Sequence, residues 1–508
     1  MPVRPGKAPG QALDRGFIDV NAQIGPTFGR AGGATREALA RERRSHGVRL
    51  SLVRHRTALV GDTRLGNRQL LEACEQDPGL IPIAVLRPDR TDMLDDASTM
   101  GARFAGFWLE GRARPGQGSL ATDSLVRSAA RGGRPLFVPI TFHGEASAVG
   151  AATADLGVPV ILVGCHYDNA VDVLAAARRF DHLHLETSRM AHLGGIEIAA
   201  REIGAERILL GTGAPLRAIQ SPLNAIWLSR LSDEAKRAIL GGNASRLFGL
   251  PLMPVGLPEV VRPDRAFDVH THTGPLLQEV TELSDDELMP ELARRNNTRY
   301  AVASSVLAIE ADSEAGNREL VEACARLSNR LGYLYADPDD LSATRDQIRR
   351  WGDSPGIVGA KISCETSARL TGSAQVWELF NLLASFGKPV KIHNDGDDWD
   401  QHLRRIAREH PRLPIIVAHG GLGFPDLPAA RLAATVDNVY VEMSSSFAQI
   451  PTVREVVSAV PGDKLMFGTD APLLDPGFVL GTYQDADIAP DQEDDVYYAN
   501  GARLFAVG

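Results

Sequence analysis

The chain has 508 residues, a formal net charge of −10 and four cysteines. An acidic balance excludes nucleic acid and an anionic membrane surface as the main partner, and four cysteines in this length make no disulfide framework. No apolar run approaches the roughly 20 residues that span a bilayer, and the Pro/Gly-rich start lacks a signal-peptide core, so the expected location is the cytoplasm.

In chain order, residues 1–16 read as a flexible tail. From Phe17 the chain begins a pattern that it later repeats. Phe17-Ile18-Asp19-Val20-Asn21-Ala22-Gln23-Ile24-Gly25-Pro26 is answered by Phe267-Asp268-Val269-His270-Thr271-His272-Thr273-Gly274-Pro275. "GNRQLLEAC" from Gly66 returns as "GNRELVEAC" from Gly316, with Cys74 and Cys324 read as small core residues on a helix. "ILLGTGAPL" from Ile208 returns as "LMFGTDAPL" from Leu465, and "GGNASRLF" from Gly241 as "YANGARLF" from Tyr498. The offset stays between 249 and 257, so the repeat unit is a whole domain. The join, Gly249 to Arg265, carries four prolines and reads as an extended connector. The predicted domains are 17–254 and 255–508.

In the second half the strand-like runs include "AFDVHTH", "TRYAVASSV", "GIVGAKIS", "KPVKIH", "LPIIVAH", "NVYVEMS" and "KLMFGTD". "GNRELVEACARLSNRLG" and "SAQVWELFNLLASFG" lie between them and show helical spacing of apolar residues. Most of the strands are apolar on both faces, as a covered parallel sheet requires. Two tandem (β/α)8 barrels fit this alternation better than a doubly wound open sheet. The acidic stretch Tyr483 to Asp495 reads as a surface insertion with a helix start near Asp491.

His270 and His272 alternate on a strand and therefore share a face. The spacing alone is weak, since His182 and His184 show it too and read as ordinary strand residues. Further reactive residues end later strands: His393, His419 and Asp470. Catalytic groups collect at that end of barrel strands. The first half is an internal control. His270 aligns with Asn21, His272 with Gln23, His393 with Pro139, His419 with Gly164 and Asp470 with Gly213, so all five positions lose their ligand or acid–base group. Lys361 aligns with Trp108. Glu442 aligns with Glu186, an identity that reads as structural. Ser444, Ser445 and Ser446 read equally as substrate contacts or as a helix cap, and Asn394, Asp395, Asp397 and Asp398 as a solvated loop.

Residues 266–508 resemble the amidohydrolase superfamily, in its amidohydrolase-related branch of metal-dependent hydrolases and nonoxidative decarboxylases. The motifs are "DVHTHTGP", "IHNDG", "VAHGGLGFP", "FGTDAPL" and "NGARLF". Residues 17–250 resemble it in framework only. The resemblance implies one divalent ion, zinc with manganese or iron as alternatives, on His270, His272, His393 and Asp470. His419 would stand beside it as a catalytic group. Lys361 would be either a carboxylated bridge between two ions or a plain ammonium facing a carboxylate.

The expected reaction is hydrolysis of a C–N or C–O bond (amide, lactone or ester) in a small molecule, with Asp470 taking the proton of metal-activated water. Nonoxidative decarboxylation of a small carboxylic acid is the alternative, and a non-catalytic binding protein is the reading from another class. The two barrels are expected to pack as an intramolecular pseudo-dimer.

Overall fold

The computed structural model describes residues 15–27, 33–87, 103–110, 124–251, 253–257, 261–274, 283–363, 373–393, 398–421 and 424–507. The chain divides into two compact units, Met1–Val260 and Val261–Gly508. Residues 1–14 of the predicted tail, and Asn394, Asp395 and Asp397, lie outside the described residues.

Each unit is an eight-stranded parallel sheet in sequential order. The first comprises β1 (Phe17–Ile24), β2 (Val48–His55), β3 (Leu80–Leu86), β4 (Gly106–Leu109), β5 (Leu136–Pro139), β6 (Val160–Val163), β7 (Leu183–Glu186) and β8 (Ile208–Leu209). The second comprises β9 (Ala266–Thr273), β10 (Thr298–Ser305), β11 (Arg330–Tyr335), β12 (Ile357–Ser363), β13 (Val390–His393), β14 (Ile415–Val417), β15 (Val439–Glu442) and β16 (Leu465–Met466). Helices alternate with the strands, and backbone bonds join the last strand to the first. Val20 N–H donates to Leu210 O at 2.8 Å, and Val269 N–H to Phe467 O at 2.9 Å. These are two (β/α)8 barrels.

The repeated motifs are the points where each barrel is fastened. Asn67 and Asn317 act as extra strand partners from a helix. Asn317 donates to Tyr335 O at 3.0 Å and accepts from Tyr335 N–H at 2.8 Å, and Asn67 does the same to Val85 at 2.9 Å both ways. The preceding glycine lets that helix touch its neighbour, since a Cβ on Gly316 would sit 2.2 Å from Ala308 N. Asn500 donates to Gly462 O and Leu465 O, as Asn243 does to Ala205 O and Ile208 O. Phe505 then stacks on Phe267 at 5.6 Å and Phe248 on Phe137 at 5.9 Å, plugging each barrel core. Asp19 and Asp268 tie the first strand to the last through Thr212 and Thr469.

Two sequence expectations need correction. The helix from the second "GNR" motif ends at Arg326, and Arg330–Tyr335 is β11. Arg330 is fully buried there, so a charge within the run hides a strand that the pattern read as helix. Tyr483 belongs to the core instead of a surface insertion. Its buried hydroxyl donates to Met466 O at 2.9 Å and accepts from Met443 N–H at 2.8 Å, and Asp485 is buried with it. Among the described residues no helix is long and apolar enough to cross a membrane.

Candidate metal centre

The side chains that set the two barrels apart meet at the C-terminal ends of the second barrel's strands. β9 presents His270 and His272 on one face, two residues apart, with ring centroids 5.2 Å apart. Asp470 follows β16, its Oδ1 lying 3.0 Å from His272 Nε2 and 3.3 Å from His270 Nε2. The ligand atoms of these three residues all lie within 4.8 Å of one another, close enough to hold one metal ion. His419, after β14, packs on His270 with ring centroids 4.9 Å apart, and forms a second such group with His270 and Glu442. His393 stands outside both groups, its ring 4.5 Å from that of His419. Lys361 Nζ is 3.4 Å from His270 Nε2. Four of the six expected residues are buried, His272 and His393 being half-buried, and Lys361 is almost completely enclosed.

Glu442 organises this cluster. Its Oε1 accepts from His270 Nδ1 at 2.8 Å, His419 N–H at 2.9 Å and Lys391 Nζ at 3.1 Å, while Oε2 accepts from Ser444 N–H at 2.8 Å. With Nδ1 donating to Glu442, His270 turns its Nε2 lone pair toward Asp470. His419 Nδ1 likewise donates to Ser444 O at 2.7 Å, which leaves its Nε2 free for the site. His272 Nδ1 lies 3.2 Å from Ser304 Oγ. A neutral-imidazole and carboxylate donor set of this kind fits a divalent transition metal.

Electrostatics point the same way. Burial, reinforced by the Lys391 and Lys361 ammoniums, pushes His270 well below the ordinary histidine range, so its lone pair is available at neutral pH. Burial would raise Asp470, but the adjacent His270 and His272 more than offset it and hold the carboxyl well below its usual range. Burial would raise Glu442 too, yet Lys391, His419 and two backbone N–H groups hold it to about 2.

Glu442 and Lys391 are what sequence reasoning missed. The repetition of Glu442 as Glu186 reads as structural, whereas Glu442 fixes the tautomer of one candidate ligand. Lys391 lies two residues before His393 on β13, on the same face, and aligns with Phe137; that change of residue class was a readable signal. Of the serines, Ser444 joins the site, its Oγ lying 3.3 Å from His270 Nδ1. Asp398 starts the helix Trp399–Glu409.

The first barrel presents the same scaffold with other chemistry. Asn21 Nδ2 donates to Ser188 Oγ at 3.1 Å, and its Oδ1 accepts from Arg54 Nη1 at 2.5 Å. Arg54 also lies over the Trp108 ring at 3.8 Å. A guanidinium thus sits between the residues aligned with His270 and Lys361.

A family model described as amidohydrolase matches residues 37–250 and again 267–507. The chain belongs to the amidohydrolase family. Both barrels of this amidohydrolase are covered, including the one without the histidines. No curated protein matches the sequence. Among solved structures it is similar to 2,6-dihydroxybenzoate decarboxylase from Rhizobium (18% identity, 49% of this chain and 99% of that one, TM-score 0.38). It is also similar to amidohydrolase 2 from Bifidobacterium longum subsp. infantis (18%, 48% and 99%, TM-score 0.38). A third is 5-carboxyvanillate decarboxylase from Novosphingobium aromaticivorans, solved with manganese (18%, 44% and 81%, TM-score 0.37). Each match spans under half of this chain.

Proposed function

We propose that the second barrel is a metal-dependent nonoxidative decarboxylase of a small aromatic or enoate carboxylic acid. The observation that carries this choice is Lys361, an enclosed ammonium set against His270, where the first barrel has Trp108. A buried cation at the edge of a donor set is suited to a substrate that brings its own carboxylate. A neutral amide, lactone or ester brings no ground-state carboxylate for it to pair with.

His270, His272 and Asp470 would hold the ion, with His393 as the further donor that the family resemblance implies. When bound, a divalent cation (zinc, manganese or iron) supplies Lewis-acid polarisation of the substrate's oxygens. Lys361 Nζ binds and orients the substrate carboxylate. Asp470, held ionised, remains a ligand and is a poor proton donor. His419 is the better donor, because Nδ1 is committed to Ser444 O and Nε2 can carry a mobile proton. Proton transfer from His419 Nε2 to the carboxyl-bearing carbon precedes loss of CO₂; the C–C bond pair returns to the substrate and restores its conjugation.

Hydrolysis remains the second reading, favoured by the ionised Asp470 as a base for water. Incubating the metal-reconstituted full chain with hydroxylated benzoates and enoate acids, while following CO₂, decides between them. CO₂ release that Lys361→Met lowers about 10- to 100-fold in kcat/KM supports decarboxylation, the range expected for losing a charged hydrogen bond. New carboxyl or amine groups from amides, lactones or esters, without CO₂, would establish hydrolysis instead.

A further inference from the structure

The two barrels keep the same glutamate, but the strand ends beside it are joined differently. In the first barrel β7 and β8 meet directly beyond Glu186, where Thr187 N–H donates to Leu209 O at 3.2 Å. Thr187 Oγ1 also holds the glycine that follows β8, accepting from Gly211 N–H at 3.1 Å and donating to Gly211 O at 3.0 Å. Met443, Met466 and Gly468 take these places in the second barrel. There the hydroxyl of Tyr483 stands among them, accepting from Met443 N–H at 2.8 Å and Gly468 N–H at 3.2 Å and donating to Met466 O at 2.9 Å. A bridge through one oxygen replaces the direct bond.

Tyr483 reaches this point from the helix Pro476–Gln484. It aligns at offset 257 with Ile226, which has no hydroxyl to insert. Its buried ring packs against Phe467 with centroids 5.0 Å apart. Burial pushes the phenol well above its ordinary range, so the hydroxyl keeps the proton that it donates.

The bridge adjoins the candidate centre on both sides. Met443 directly follows Glu442, the residue that orients His270, and Gly468 comes two residues before Asp470. A Cβ on Gly468 would lie 2.6 Å from Glu442 Oε2 and 3.0 Å from His270 Cβ, so its backbone packs on both. Asp470 N–H donates to His270 O at 2.7 Å. Movement of either bridged peptide therefore moves Glu442, His270 and Asp470 relative to one another.

We propose that Tyr483 is a positioning residue of the metal centre: its hydroxyl, inserted between the ends of β15 and β16, sets the spacing at which His270 and Asp470 can share an ion. This role rests on the reading of the second barrel as a metal site. Without the bridge, the two strand ends are free to close as they do in the first barrel.

The test titrates the full chain with cobalt(II), reading affinity and the visible absorption band that reports coordination geometry. Tyr483→Phe removes the bridge. Tyr483→Phe with Met443→Thr also imports the threonine that joins the same groups in the first barrel, so the buried backbone donors regain partners. Both variants should bind cobalt at least about tenfold more weakly and with a shifted band, as for loss of a partner that orients metal ligands. Circular dichroism and the urea midpoint of the double variant should stay near those of the unsubstituted chain. A purely structural tyrosine would instead give a double variant with its cobalt binding restored. Unchanged affinity and band in either folded variant, or unfolding of both, would overturn the proposal. Failure of the unsubstituted chain to bind cobalt would overturn the metal reading itself, and this role with it.

Discussion

A non-glycine residue in the left-handed backbone region costs about 1–3 kcal/mol unless its surroundings enforce it. His419 and Asp470 stand there with φ of 58° and 62°. Their first-barrel counterparts are Gly164 and Gly213, at 98° and 73°. The turns persist while the strain is relieved, as expected where a functional side chain is no longer selected. The two residues are nevertheless given different work. His270→Ala and Asp470→Ala are expected to lose metal and turnover together. His419→Asn should keep most of the metal and lose about 10²–10⁴-fold in kcat, the usual worth of a positioned proton donor or oxyanion contact. Metal content measured beside kcat separates these cases. Loss of metal in His419→Asn would make it a ligand.

The Glu442–Lys391 pair makes a pH prediction at the same scale. Glu442 is held to about 2 in the folded barrel, below the value of about 4.3 for an unfolded chain. Its contribution is therefore complete above about 4.3 and is lost as pH falls toward 2. Lys391→Met leaves the carboxylate buried without its ammonium and is expected to cost about 3–5 kcal/mol. Acid unfolding of that variant should begin at higher pH, and urea unfolding at neutral pH gives the cost. An unchanged acid midpoint would mean that the pair does not set it.

Among the elements, the repeated asparagines explain why scattered motifs survive in both halves when the reactive residues do not. Asn317 satisfies both backbone groups of Tyr335 at the end of β11, so Asn317→Ala leaves a buried donor and a buried acceptor without their bonds. A loss of about 2–4 kcal/mol in urea unfolding is expected, and Asn67→Ala should match it in the first barrel. A loss under about 0.5 kcal/mol would assign the motif another purpose. This level was also the most legible in sequence. Parallel strands enclosed by helices must be apolar on both faces, and that pattern identified seven of the second barrel's strands. β11 escaped because Arg330, at its start, is buried and breaks the run. The site was legible by difference: the histidines and the aspartate that the second half has and the first lacks lie at or near the C-terminal ends of strands. Glu442 was not, because comparing copies cannot reveal a residue whose partners change while it stays. In one barrel Glu442 orients a histidine, and in the other Glu186 binds Ser188.

The molecule as a whole is one fold used twice with different chemistry at its two centres. The second barrel converges imidazoles and a carboxylate on a common point, whereas the first puts the Arg54 guanidinium beside the corresponding residues. Among the described residues, both groupings able to hold a metal ion belong to the second barrel. The central claim is that one metal centre in the second barrel carries the chemistry, and the most direct test is the metal-to-chain ratio of the full-length protein after saturation and desalting. The account predicts one ion per chain, falling to near zero in His270→Ala with Asp470→Ala. Two ions per chain, or one that persists in that double variant, would contradict it.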